Sequence, residues 1–220
     1  MIDYAQARRT MVDCQIRPND VTDYRVLEAF MEVPREVFVS SAQKPLAYID
    51  EDLPLSGTAE NRYLMEAMSL SRLIQLADVS ADDFVLDIGC ATGYSTAVLS
   101  RLGNSVVGLE VDKALADEAT RLLMDLGYSN TAVVTGPLDK GYPKEAPFDV
   151  ILVSGSVDAL PDVLCEQLRD GGRLVVVEGR GNTGEARLYT KTNGVVSSRR
   201  AFNASVMPLP GFERESGFVF

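Results

Sequence analysis

Val85-Leu-Asp-Ile-Gly-Cys-Ala-Thr-Gly-Tyr-Ser-Thr-Ala-Val-Leu-Ser100 decides the fold. Phe84 to Ile88 is a short apolar run with β-branched residues, set between a charged turn and a glycine, and it reads as a buried strand. Gly89 to Gly93 is a tight loop, after which Tyr94, Ala97, Val98 and Leu102 recur at helical spacing. A strand, a glycine loop and a helix N-terminus together present backbone N–H groups to a negative ligand group. The spacing narrows the choice of ligand. A dinucleotide fingerprint needs Gly-x-Gly-x-x-Gly, and those positions read Gly89, Ala91 and Tyr94. A P-loop needs Gly-Lys-Ser/Thr, and the chain offers Gly93-Tyr94-Ser95. What remains is Asp87-x-Gly89-x-Ala91-x-Gly93, an acid leading into a glycine turn.

Outward from that stretch the pattern alternates. Val106-Val-Gly-Leu-Glu110 reads as a second strand ending on an acid, placed to take a pair of ribose hydroxyls. Asp112 caps a helix with Leu115, Ala119, Leu122 and Leu126 inward, and Gly127 ends it. Thr131–Thr135, Phe148–Val153 and Arg173–Val177 read as further strands, with a helix after Pro161. Asn193-Gly194 marks a hairpin in a β-rich ending that includes Ala186–Thr190, Val195–Ser198 and Ala204–Met207. Upstream, Tyr4, Ala7, Met11 and Cys14 mark one helix, and Val26, Leu27, Phe30 and Met31 a second. Two short helices cannot form a core alone, so they are expected to cap the ligand face of the main unit. Tyr63, Ala67, Leu70, Ile74 and Ala77 form a stripe for a helix lying on the sheet. The expected fold is therefore α/β: a doubly wound, Rossmann-like, mostly parallel sheet with an antiparallel edge and an N-terminal helical cap. The expected organisation is one domain over 1–220, with the cap at 1–57 and the core at 58–220.

Composition removes several classes of function. With 220 residues, 46% hydrophobic and 24% charged, the chain is a globular domain rather than a disordered one. A net charge of −11 argues against a nucleic-acid partner, which calls for a basic footprint. Cys14, Cys90 and Cys165 are too widely spaced for a zinc signature, and with no histidine no metal site is expected. Cys90 reads first as a small packing residue within the loop. No apolar run approaches membrane-spanning length and the N-terminus shows no signal-peptide pattern, so a cytoplasmic protein is expected. The oligomeric state is left open.

The Asp87 loop resembles motif I of the class I S-adenosylmethionine-dependent methyltransferases. Further stretches then occur in order: Val33-Pro-Arg-Glu-x-Phe38, Ala47-Tyr48-x-Asp50, Leu53-Pro54-Leu55, Pro147-Phe-Asp-Val-Ile-Leu-Val153 and Gln167-Leu-x-x-Gly-Gly-Arg-Leu-Val175. Together they resemble the protein L-isoaspartate O-methyltransferases over residues 11 to 210. The resemblance implies a seven-stranded sheet, S-adenosylmethionine as cofactor, and methyl transfer to the free carboxylate of isoaspartyl residues in damaged proteins. It implies a cofactor site at Asp87, Gly89, Cys90, Ala91, Gly93 and Glu110, with Gly136 and Ser154 beside it. A carboxylate with a pKa near 4 is already the nucleophile at neutral pH, so a chain without histidine suits this chemistry.

Two stretches depart from the family pattern. The family's Gly-x-Gly-Gln-Thr-Ile-Ser loop after Leu-Pro-Ile is replaced by Ser56-Gly-Thr-Ala-Glu-Asn-Arg62. Thr58 and Arg62 are the residues expected to contact an acceptor, Arg62 as a bidentate carboxylate clamp. The family's Gly-Asp-Gly becomes Gly136-Pro-Leu138 followed by Asp139. Val206-Met-Pro-Leu209 corresponds to the substrate-side segment, with Met207 and Leu209 also readable as core fillers. The altered loop keeps two alternatives open: a small carboxylic acid as acceptor, or a non-catalytic binding module on the same fold.

Overall fold

The computed structural model describes residues 2–55 and 61–213. Thr58 therefore lies outside the described residues.

Helix α1 (Tyr4–Met11) starts on an Asp3 cap and runs on through a π-turn at Val12–Ile16. Helix α2 (Tyr24–Glu32) starts on an Asp23 cap. Next comes a separate two-stranded hairpin, β1 (Leu53–Pro54) against β2 (Tyr63–Leu64). Helix α3 (Ala67–Ala77) leads into the main unit: β3 (Phe84–Ile88), α4 (Tyr94–Ser100), β4 (Ser105–Glu110), α5 (Lys113–Asp125), β5 (Thr131–Thr135), β6 (Phe148–Val157), α6 (Asp162–Glu166), β7 (Leu168–Glu178), β8 (Glu185–Thr192) and β9 (Val195–Asn203). Seven of these strands form one sheet in the order β5-β4-β3-β6-β7-β8-β9. The pairs from β5 to β7 are parallel, and β7–β8 and β8–β9 are antiparallel. This is the class I methyltransferase architecture with an N-terminal helical cap. The order reverses between β3 and β6, so the carboxyl ends of those strands open a crevice at the switch point.

Strand alternation explains the two apolar layers. Val85, Val106, Val150, Leu152, Val175 and Val177 face one side and join the core made with the cap, α3, α4 and α5. Leu86, Ile88, Val107, Leu109, Ile151, Val153, Leu174 and Val176 face the other and join Leu138, Leu164, Leu209 and Phe212. A sheet buried on both faces requires the near-continuous apolar strands that the sequence shows.

The cap packs mainly on α3 and α4. Phe30 and Phe38 meet the Tyr94 ring edge-on at 6.1 and 5.6 Å, and the Thr92 hydroxyl donates to the Phe38 carbonyl at 2.6 Å. The cap thus touches the glycine loop from the side and does not roof the strand ends. The Val33-Pro-Arg-Glu segment works as a clasp. The fully buried Arg35 donates to the carbonyls of Ala47 and Met65, both at 2.8 Å, tying the cap to the chain just after β2. Glu36 accepts from Tyr48 and from Arg8, fixing the same turn from the other side.

Several boundaries differ from the sequence expectation, among them the start of β7, at Leu168 instead of Arg173. Tyr63 belongs to the hairpin, and α3 begins only at Ala67, because Pro54 and Tyr63 pair across β1 and β2. The helix after Pro161 stops at Glu166, since Leu168 already opens β7. Among the described residues Ala204–Met207 forms no strand: after β9 the chain leaves the sheet and pairs with it again in one isolated bridge, Ser156 with Pro208.

Candidate active site

The sequence-predicted residues converge on the carboxyl ends of β3, β4 and β6. The turn after β3 uses positive φ at Gly89 (+81°), Ala91 (+52°) and Gly93 (+95°). Ala91 tolerates that region because its amide is anchored, donating to Glu110 Oε2 at 2.8 Å. Asp87 lies beneath the turn, fully buried. Its Oδ2 accepts from Ser95 (2.6 Å) and Thr96 (2.7 Å), and its Oδ1 from Ser154 (2.6 Å). Burial pushes its carboxyl above the ordinary aspartate range, against the pull of those three hydroxyls. Asp87 and Ser154 therefore brace the loop from inside. The Cys90 side chain points under the loop against β4, where a methyl on Gly108 would stand 3.0 Å from its sulfur. Burial, with Asp87 and Glu110 nearby, raises that thiol well above its usual range. Gly136 stands beside β4, its amide bonded to the Glu110 carbonyl at 3.0 Å.

Glu110 ends β4 with no exposed side-chain surface. Its Oε1 accepts from the amides of Val111 (3.0 Å) and Asp112 (3.2 Å), and its Oε2 from that of Ala91. The remaining approach to both oxygens is taken by Arg62. Nε donates to Oε1 at 3.0 Å and Nη2 to Oε2 at 2.7 Å, a bidentate ion pair with the guanidinium side chain 2% exposed. The same Nη2 also donates to the Gly89 carbonyl at 3.0 Å. Arg62 thus directs its guanidinium at the Glu110 carboxylate and the Gly89 carbonyl, at the ends of β4 and β3.

Leu209 completes the covering. A methyl on Gly89 would stand 2.7 Å from Leu209 Cδ2 and 3.3 Å from Arg62 Nη2, and one on Gly155 would stand 2.6 Å from Leu209 Cγ. Beyond it, Gly211 comes within 3.9 Å of Asp139 when its missing methyl is built, and Phe212 is buried. The cavity left between Arg62, Ser154, Gly155 and Leu209 is about 10 Å³. That is roughly room for one water, against about 300–1,000 Å³ for a small-molecule site. A hollow of about 260 Å³ beside Phe38, Leu55, Thr92 and Leu115 is not lined by Glu110 or Gly89. Among the described residues, the side chains present do not fit S-adenosylmethionine in this conformation, since Glu110 has no lone pair left for a ribose diol. Sequence reasoning named Arg62 and Glu110 separately. Their pairing joins residues 48 apart, and no local pattern signals it.

Residues 6–214 match the family described as Protein-L-isoaspartate(D-aspartate) O-methyltransferase (PCMT). The chain is 36% identical over 210 residues to a protein-L-isoaspartate O-methyltransferase of Roseiflexus castenholzii, covering 96% of this chain and 94% of that one. It is 34% identical over 212 residues to one of Trichlorobacter lovleyi, covering 96% of each. A solved protein-L-isoaspartate O-methyltransferase superposes with a TM-score of 0.81 at 27% identity; the match covers 93% of this chain and 66% of that longer one, so this chain spans about two-thirds of its length. A Plasmodium falciparum protein carrying a provisional name of the same kind, in complex with S-adenosyl-L-homocysteine, superposes at 0.76 over 95% of this chain and shares the fold at 19% identity.

Proposed function

The chain belongs to the Protein-L-isoaspartate(D-aspartate) O-methyltransferase family, and from that premise we propose that it methylates the free carboxylate of isoaspartyl residues in proteins, with S-adenosylmethionine as donor. It is an O-methyltransferase by family. The observation that carries the reading is the retained frame at the switch point: Asp87 bracing a positive-φ turn, with the Glu110 carboxylate at the end of the adjoining strand. In this reading the Gly89–Gly93 backbone and Glu110 hold the cofactor, and Ser154 and Gly136 flank it. The acceptor oxygen is anionic at neutral pH, so the protein supplies orientation and need not remove a proton.

Two observations favour a second reading, a binding module on the same fold or a methyltransferase for another carboxylic acid. Arg62 occupies Glu110, and the hydroxyl-bearing loop of the family is absent. The test is methyl-ester formation on matched isoaspartyl and aspartyl peptides with labelled donor. The expected outcome is ester on the isoaspartyl peptide alone, at a low rate. Ester on neither peptide, from protein that binds S-adenosylhomocysteine, would move the assignment to another acceptor.

A further inference from the structure

We infer that the chain closes its own cofactor crevice, and that Arg62 and the cofactor compete for Glu110. The inference rests on the cofactor reading proposed above and adds the regulation of that site. Two contacts close the carboxyl edge. Arg62 holds both oxygens of Glu110 and the Gly89 carbonyl. Leu209 lies against Gly89 and Gly155, the two glycines whose bare Cα atoms open the crevice.

The plug comes from two separate pieces. Arg62 stands beside β2, which among the described residues pairs with β1 alone, apart from the seven-stranded sheet. Its carbonyl accepts from the Leu55 amide at 2.8 Å, so the hairpin carries the guanidinium. The other piece runs from Met207 to Phe212. Asp52 joins the two, accepting from the Glu66 amide at 2.8 Å and the Met207 amide at 3.1 Å. A ligand that needs Glu110 must move the guanidinium first. The displaced Arg62 keeps its charge and needs only solvent, whereas Glu110 retains its three backbone donors in either state. Without the guanidinium those amides leave one lone pair open on Oε2, so the carboxylate is set for two alternative partners, a guanidinium or a ligand hydroxyl.

The experiment is calorimetric titration of S-adenosylhomocysteine into the full chain, into Arg62→Gln and into Leu209→Ala, with hydrogen exchange on the wild type as a second readout. Arg62→Gln should bind at least tenfold more tightly than the wild type, and saturating ligand should speed exchange at the Leu55 amide in the wild type. Should Arg62→Gln fold poorly, tighter binding by Leu209→Ala and the exchange change carry the same test. Micromolar binding by the wild type, unchanged in both variants and with Leu55 still protected, overturns the competition and leaves the methyltransferase reading standing. Absence of binding by all three at millimolar ligand overturns both.

Discussion

A carboxylate buried with five donors is a different object from a carboxylate waiting for a ligand, and Glu110 is the former. Arg62 contributes two of those donors, and the amides of Ala91, Val111 and Asp112 contribute three. The two partners therefore do not cost the same to remove. Glu110→Ala strands a buried guanidinium and three amides, and breaking a buried pair in this way costs about 3–5 kcal/mol. Arg62→Gln leaves the buried Glu110 charge without its cation but still held by three backbone donors, so its loss should be the smaller of the two. Urea unfolding of the two variants should show that order, with Glu110→Ala the less stable. Equal losses would mean that the three amides contribute nothing to holding the carboxylate. Asp87 and Glu110 were legible from the sequence because each sits at a fixed step from a glycine turn or a strand end. Arg62 was legible as a bidentate carboxylate clamp in an altered loop, without the identity of the carboxylate. Which one it meets depends on the pairing of β1 with β2, which the local sequence does not signal.

The segment after β9 shows how an element can be misread with every residue read correctly. Ala204–Met207 has strand composition, yet Pro208 cannot donate to a ladder, and the chain crosses the strand ends instead of extending the sheet. Leu209 is buried at 2% exposure because it lands on two glycines. An apolar residue after a proline gives no sign of that. The contact predicts a coupled pair of variants. Gly89→Ala imposes a side chain at φ +81°, worth about 1–2 kcal/mol, and drives a methyl into Leu209, worth about 1–3 more. Leu209→Ala alone should cost about 2–5 kcal/mol as a buried truncation. In the double variant the methyl has room, so the total should fall short of the sum by more than about 0.5 kcal/mol, the usual scatter for independent sites. Additive losses in a denaturant melt would place Leu209 away from Gly89. The strands β3, β4 and β5 carried no such ambiguity. Their runs of β-branched residues end on a glycine, an acid and a glycine, and alternation puts Leu86, Val107 and Ile151, which the structure pairs, on one face.

At the scale of the molecule the dominant fact is charge, −11 over 220 residues, with several of its acids forced into partial or full burial. Asp87 is raised by desolvation. Asp50, Asp52 and Glu66, grouped around the buried Arg35, are each raised first by desolvation, and Glu66 further by Asp50 and Asp52. For each of these groups the native state holds its proton to a higher pH than the unfolded chain, whose carboxyls titrate near 4. The slope of stability with pH is set by protons bound unfolded minus protons bound native, which is negative in that window. Stability from these groups is thus greatest below the window and declines as pH rises through each folded pKa, after which the loss is constant. Asp23, lowered by Arg25 and its cap bonds, acts oppositely and weakens the fold only as pH falls below about 4. General repulsion among the acids adds to the decline and is screened by salt. Urea midpoints should therefore fall from mildly acidic pH toward neutrality, less steeply at high salt. Asp87→Asn should remove part of the remaining slope, because an amide between three rotatable hydroxyls carries no charge to desolvate. A midpoint that climbs between pH 5 and 8, with the same curve in Asp87→Asn, would show that the raised carboxyls are compensated in the folded state and that burial does not govern the pH response of this fold.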